Sequence, residues 1–305
     1  MTRILEPTFQ EFCAIVSSLT NSVLIFLILT KSPPQLGSYK WLMLCTCFFE
    51  LAYASLDIFV EPKIRTFQSS LFLVQDLRKS RIGHDTTLLF LLAYNSCYGS
   101  SMSIFACHFI YRYGAINAEF KQKHLFGVKQ TLLYIAPIFT GFVWAILCWS
   151  TLGESSSKSD FLRPHFQQVF NMTIKECVYV AFHFWPTDDQ GEPHLDFMSF
   201  ACVVMMLLIL GTSFGNVLYF GVKCYQYISN QLGSLSLQSN ATKTLQAQIF
   251  YSLIIQSAIP CFLMYMPATI MSMIPLLNLG YDFNFPLLQS PLRSTRRLIH
   301  FQRFL

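Results

Sequence analysis

Six stretches of this chain run for close to twenty residues or more with almost no charge, separated by segments rich in polar residues, proline and glycine. A helix needs about twenty apolar residues to cross the roughly 30 Å hydrocarbon core of a bilayer. The stretches fall near 12–30, 41–60, 87–110, 131–150, 197–222 and 249–277, and each is expected as a membrane-spanning helix. Their only acids and bases are Glu50, Asp57 and His108. This pattern predicts an all-α integral membrane bundle over 12–282, preceded by a short outer segment, 1–11, and followed by a basic tail, 283–305. The first stretch is too long for a signal-peptide core and lacks a small-residue cleavage site, so it reads as a retained signal anchor.

Composition supports the same class. Of the 305 residues 53% are hydrophobic and only 12% charged, with thirty phenylalanines, which argues against two soluble domains of the same total length. The net charge of +5 is modest and the basic residues are spread over the loops, so nucleic acid is not an expected partner. No phosphate-binding Walker loop, His-Glu-x-x-His zinc motif or Gly-x-Ser-x-Gly elbow is present, and neither enzymatic activity nor a cofactor is expected. Most of the ten cysteines lie inside the apolar stretches, so no disulfide framework follows. Cys97 stands fifteen residues before Arg112, about 22 Å along a helix and so within the membrane, which disfavours a bridge to Cys177.

With the N-terminus outside, the segments 31–40, 111–130 and 221–248 face the cytoplasm and carry eight Lys/Arg against the single acid Glu119. Lys63, Arg65, Arg78, Lys79 and Arg81 then fall on the outer side, so the positive-inside rule favours this orientation only weakly. The sequon "NMT" at Asn171 would lie outside and be a glycosylation site, whereas "NAT" at Asn240 would lie inside and stay bare.

Arg112 ends the third stretch in "CHFIYRYGAI", between Tyr111 and Tyr113. An arginine at the bilayer centre costs about 2.5–3.5 kcal/mol on insertion scales, so it requires an aqueous boundary, a partner or a task. Eighteen helical residues make five whole turns, which returns Arg112 to the azimuth of Tyr94. Tyr98, Ser101, Phe105 and His108 follow between them at helical spacing, so a single stripe joins the arginine to the outer half of the helix. Spacing alone favours a snorkelling anchor flanked by interfacial tyrosines over a switch residue. Tyr94, Asn95, Tyr98 and Tyr265 are candidate ligand contacts.

Glu50 and Asp57, seven apart, share a face of the second stretch and are candidates to meet a ligand cation, a proton or a polar partner such as Asn21. Asp57 also fits the outer interface. Pro260 and Pro267 interrupt the sixth stretch and are candidate hinges, though prolines are equally common in purely structural membrane helices. Lys121, Lys123, Lys129 and His124 suit anionic lipid first and an acidic protein face second. Cys224 is a candidate palmitoylation site.

Four segments, "KSPPQLGSYKWLML", "HFIYRY", "SNATKTLQAQIFYSLIIQSAIP" and "MYMPATI", together resemble the nematode seven-transmembrane chemoreceptors of the Str group, also called serpentine receptor class r, from about residue 10 to 282. The resemblance implies a G-protein-coupled receptor for an odorant or other small environmental chemical, coupled to a heterotrimeric G protein in the plasma membrane of sensory-neuron cilia. It makes Arg112, with Tyr111, Tyr113 and His108, the cytoplasmic switch. A channel or transporter of similar topology, or a silent receptor copy, is the alternative. The departure is the end, "GYDFNFPLLQSPLRSTRRLIHFQRFL", where family members carry a seventh apolar helix. An open seam there is expected to expose Asn21 and Glu50 to lipid.

Overall fold

The computed structural model describes residues 2–32, 37–79, 82–188, 192–233 and 240–279. Its helices are α1 (Thr2–Lys31), α2 (Tyr39–Val60), α3 (His84–Ile116), α4 (Ala118–His124), α5 (Leu132–Leu147), α6 (Ser156–His165), α7 (Phe197–Gly233), α8 (Asn240–Pro260) and α9 (Met266–Leu276). Segments within α1, α2, α3 and α7, and the helical run Gly127–Leu152 that contains α5, are each long and apolar enough to cross a bilayer. The sixth expected span is helical throughout 249–276 but not continuous α-helix: a π-helical turn, Cys261–Tyr265, separates α8 from α9. The prolines explain the break. Pro267 sits in the first turn of α9, where its missing N–H is tolerated, but it leaves a carbonyl one turn earlier without its usual donor, and the widened turn absorbs the mismatch.

α3 is the central post, packed against α2, α5 and α7. Toward its C-terminal end, Met102, Phe105, Ala106 and Phe109 meet Val217, Cys224 and Ile228 of α7 and Phe250 and Leu253 of α8. Toward its N-terminal end, Leu91 and Leu92 meet Trp144, Cys148, Cys202 and Met206. The approach of α5 to α3 depends on small residues. A Cβ on Gly99 would lie 2.6 Å from the Trp144 ring, and Ser100 Oγ donates to the Pro137 carbonyl at 2.9 Å.

The sequence pattern does not announce the second layer. Strands β1 (Lys63–Phe67), β2 (Ser70–Asp76) and β3 (Cys177–His183) form an antiparallel sheet in that order, joining the α2–α3 connection to the α5–α7 connection at one end of the bundle. The hairpin turns on Gln68, whose φ is +46°. Strand alternation then divides the side chains between two cores. Leu73, Val178 and Val180 pack onto the helices, while Phe72, Val74, Cys177, Tyr179 and Ala181 pack against Leu162 and Phe166 at and just beyond α6. These residues form a lid with a core of its own. Tyr179 Oη lies 2.7 Å from Ser159 Oγ, and Trp185 Nε1 donates to the Leu276 carbonyl at 3.0 Å, tying the lid to α9.

Two expectations change. Asn21 is fully buried and its amide donates to the Ser17 carbonyl, and Glu50 is half-buried, so Asn21 does not face lipid. α1 packs along α2 through Leu24, Ile28, Leu44 and Cys47, with Ser17 and Asn21 also buried. Cys224 is buried in the α3–α7–α8 core, closed to an acylating enzyme. The tail 283–305, with its arginines and the question of a seventh helix, lies outside the described residues, as does the side chain of Asn240.

Candidate functional site

Beneath the lid, the N-terminal half of α3, the C-terminal end of α5, the start of α7 and α9 enclose a cavity of about 180 Å³. Tyr94, Asn95 and Tyr98 lie in its wall, together with Tyr53, Trp144, Met206, Thr269 and Ser272. Strand residues Leu71, Leu73, Val180 and Phe182 supply its roof. Among the described residues its lining includes no Asp, Glu, Lys, Arg or His. The Tyr94 ring packs 5.3 Å from Tyr53, and Tyr98 lies 5.3 Å from Tyr265 and 5.7 Å from Trp144. Tyr265 is the floor of this aromatic set. Its hydroxyl bonds Ser101 Oγ and reaches the Tyr98 carbonyl at 3.4 Å, linking α3 to the π turn of the broken helix.

The stripe continues to the other end of α3. Phe105 enters the apolar core, and below it His108 and Arg112 are both buried. Thr46 Oγ1 commits its hydrogen to the Leu42 carbonyl at 3.0 Å and lies 2.8 Å from His108 Nε2. The Tyr39 hydroxyl lies 3.0 Å from Nδ1, so both ring nitrogens of His108 are engaged by α2. The same Tyr39 ring supports the Arg112 guanidinium, whose Cζ stands 3.9 Å from the centroid. Arg112 is 4% exposed. A snorkelling side chain keeps its head in water, so the anchor role favoured by spacing alone does not describe this conformation. Tyr111 packs 5.3 Å from Tyr39, and Tyr113 packs on Phe120 and Phe220. Neither is a free belt residue. Tyr39 and Thr46 are the contacts that sequence reasoning missed: "GSYKW" marks a helix start, and nothing in its spacing points at α3.

A family profile described as serpentine type 7TM GPCR chemoreceptor Str matches residues 6–290. The chain belongs to the Str family of serpentine chemoreceptors. It is 28% identical to the Caenorhabditis elegans G-protein coupled receptor str-217 over 279 residues, covering 92% of this chain and 80% of that one. It is 25% identical to G-protein coupled receptor str-33 of the same species, covering 93% and 80%, and 25% identical to its serpentine receptor class r-10, covering 87% and 76%. Str proteins are multi-pass membrane receptors of a chemosensory family, not enzymes.

In this Str receptor the remaining candidates are dispersed. Asp57 is buried one helical turn before the end of α2, where its carbonyl accepts from Glu61 N, and Glu50 lies two turns deeper. Pro260 closes α8 and Pro267 opens α9, on either side of the π turn that carries Tyr265. Asn171 is exposed at the foot of the lid in a left-handed conformation, φ +50°, and its carbonyl accepts from Arg78 at 2.9 Å. Cys177 is a free thiol inside the lid core, and burial pushes it up to about 12. No disulfide joins the described cysteines.

The lid carries its own electrostatics. The Arg78 guanidinium, 2.8 Å from Asp76, holds that carboxyl below the usual range. His183 stacks on Phe161 at 4.1 Å, and its buried Nε2 has no hydrogen-bond partner among the described residues. Burial, with Lys158 nearby, lowers its pKa to about 4.

Proposed function

We propose that this Str receptor binds an uncharged, mainly apolar small molecule, such as an odorant, in the cavity under the lid. Occupancy is passed along α3 to a heterotrimeric G protein at the Arg112 end. One observation carries the reading. On one face of α3, the cavity residue Tyr98 is joined through Tyr265 and Ser101 to the hinge-like π turn between Pro260 and Pro267, while two turns further His108, Tyr39 and Arg112 form a closed cluster. The cavity's size argues for a compact ligand: about 180 Å³ is slightly more than the roughly 150 Å³ of an apolar cavity that admits benzene. Its chemistry argues for neutrality, because a buried charge without a partner is costly. Tyr94, Asn95, Tyr98 and Tyr265 are then ligand-contact and ligand-sensing residues. A ligand shifts the receptor only by its differential affinity for two arrangements of these groups.

The relatives' names favour G-protein coupling. Arg112, Tyr111, Tyr113 and His108 are assigned to the coupling end, with Lys121, Lys123 and Lys129 facing anionic lipid or the G protein. The receptor is placed in the plasma membrane of sensory cilia, N-terminus and lid outside, with Asn171 glycosylated. The test is nucleotide exchange on a purified G protein by the receptor in lipid nanodiscs, screened against neutral volatiles of six to ten heavy atoms (about the size the cavity admits). Exchange that depends on a compound and is lost in Tyr98→Ala supports the reading. A compound-gated current that persists without G protein points to a channel and refutes it.

A further inference from the structure

We propose that the cavity fills from the bilayer, through a seam between the lid-side halves of α7 and α9, and not through the lid; this rests on the reading of the cavity as the ligand site. The strand residues that face the helices close the middle of the roof, Leu73 at 7% exposed and Val180 at 4%, with Leu71 and Phe182 half-buried beside them. The side wall differs. Leu207 of α7 lines the cavity yet is 44% exposed, and Thr269 of α9 also lines it and is exposed. On each helix, at about 100° per residue, that residue falls where the cavity-lining face turns into the apolar outer face. Its neighbours confirm the border: Val204 and Leu208 on α7 and Met266 and Ile270 on α9 are exposed apolar side chains.

The broken helix accounts for the seam. Below the π turn, α8 is held to α7 by a shared core of Val217, Cys224, Phe250 and Leu253. Above it, Cys202 and Met206 of α7 belong to a core built with α3, α5 and the sheet, to which α9 contributes no residue. α9 is tied to the lid instead, through the Leu276 carbonyl and Trp185. The mouth is compatible with hydrocarbon, because the Thr269 hydroxyl is spent on the Tyr265 carbonyl at 2.8 Å. A neutral ligand that partitions into lipid reaches such an opening at its membrane concentration, whereas a charged one is held at the interface.

The experiment uses the full chain in lipid vesicles and an apolar photoprobe, 3-trifluoromethyl-3-phenyldiazirine, loaded into the membrane by rapid mixing with preloaded vesicles. A light flash at successive delays traps the probe, and mass spectrometry follows labelling of Met206 and Trp144 in the cavity wall. Leu207→Trp with Thr269→Trp should slow that labelling several-fold, and Leu207→Ala should hasten it. Leu218→Trp, on the outer face of α7 away from the cavity, should leave it unchanged. A time course indifferent to all three variants overturns the seam, and the opposed direction of Leu207→Ala keeps the result decisive if the tryptophan pair misfolds. Labelling reads occupancy without signalling. A cavity that labels through the seam in a receptor that never activates a G protein would refute the proposed function and leave the seam standing.

Discussion

The Arg112 guanidinium lies 3.9 Å above the ring of Tyr39, whose hydroxyl at the same time bonds His108 one turn earlier on α3. One side chain of α2 thus holds two stripe residues of α3 that sequence spacing aligns but cannot pair. Tyr39→Phe keeps the ring under Arg112 and removes the hydroxyl that bonds the buried His108 Nδ1, at a cost of about 1–3 kcal/mol. Tyr39→Leu also removes the cation–π contact, worth up to about 2 kcal/mol when desolvated. Thermal unfolding in detergent should rank wild type above Tyr39→Phe above Tyr39→Leu. Equal losses in the two variants would mean that the ring does not support the arginine.

The α3–α5 contact gives a steric prediction. Because a Cβ on Gly99 would meet the Trp144 ring at 2.6 Å, Gly99→Ala forces the helices apart or the indole out of its site, costing about 1–3 kcal/mol. Trp144→Leu in the same chain should recover part of that loss. Without any recovery, the close approach is not what Gly99 serves.

The lid should be acid-labile in two windows. His183, folded pKa about 4, is protonated more readily in the unfolded chain, near 6.5. Its contribution is therefore fully present above pH 6.5 or so and is lost as pH falls toward 4. Asp76, held down by Arg78, adds stability that is lost only as pH drops below the ordinary carboxylate range. The opening equilibrium of β3, read as hydrogen exchange corrected for the intrinsic pH dependence of amide exchange and followed between about pH 7 and 4, should rise with falling pH in wild type and much less in His183→Phe. A parallel rise in both would exclude the histidine as the cause.

Filling the cavity should silence the receptor without unfolding it. Ser272 lies in the wall and is half-buried, so Ser272→Phe projects a ring into the space of about 180 Å³. Ligand-dependent nucleotide exchange should fall by at least tenfold, or about 1.4 kcal/mol, with surface expression near wild type. An unchanged response would place the ligand elsewhere.

Glycosylation tests the orientation. Asn171 is exposed on the lid side, so in a membrane insertion assay Asn171→Gln should abolish a mobility shift that Asn240→Gln leaves intact. The reverse result would invert the receptor.

The sequence by itself determined the class of this protein and the rough position of its apolar helices, because twenty uncharged residues in a row have few other ways to satisfy a chain's backbone in water or lipid. It also determined the α3 stripe, since a helix of fixed pitch puts Tyr94, Tyr98, His108 and Arg112 on one face whatever surrounds it. The prolines of the sixth span marked the break, although not that a π turn would carry Tyr265 to α3. The lid was not legible. Its strands are short, the third lies more than a hundred residues beyond the hairpin of the first two, and they gain their stability only by pairing with each other and covering a helix bundle that must already exist. Tertiary structure alone decided the burial of Arg112 as well. Whether an arginine near a helix end reaches water or turns onto an aromatic ring depends on what the neighbouring helix presents, and that neighbour, Tyr39, is set by how α2 packs on α3, a relation that no local pattern encodes.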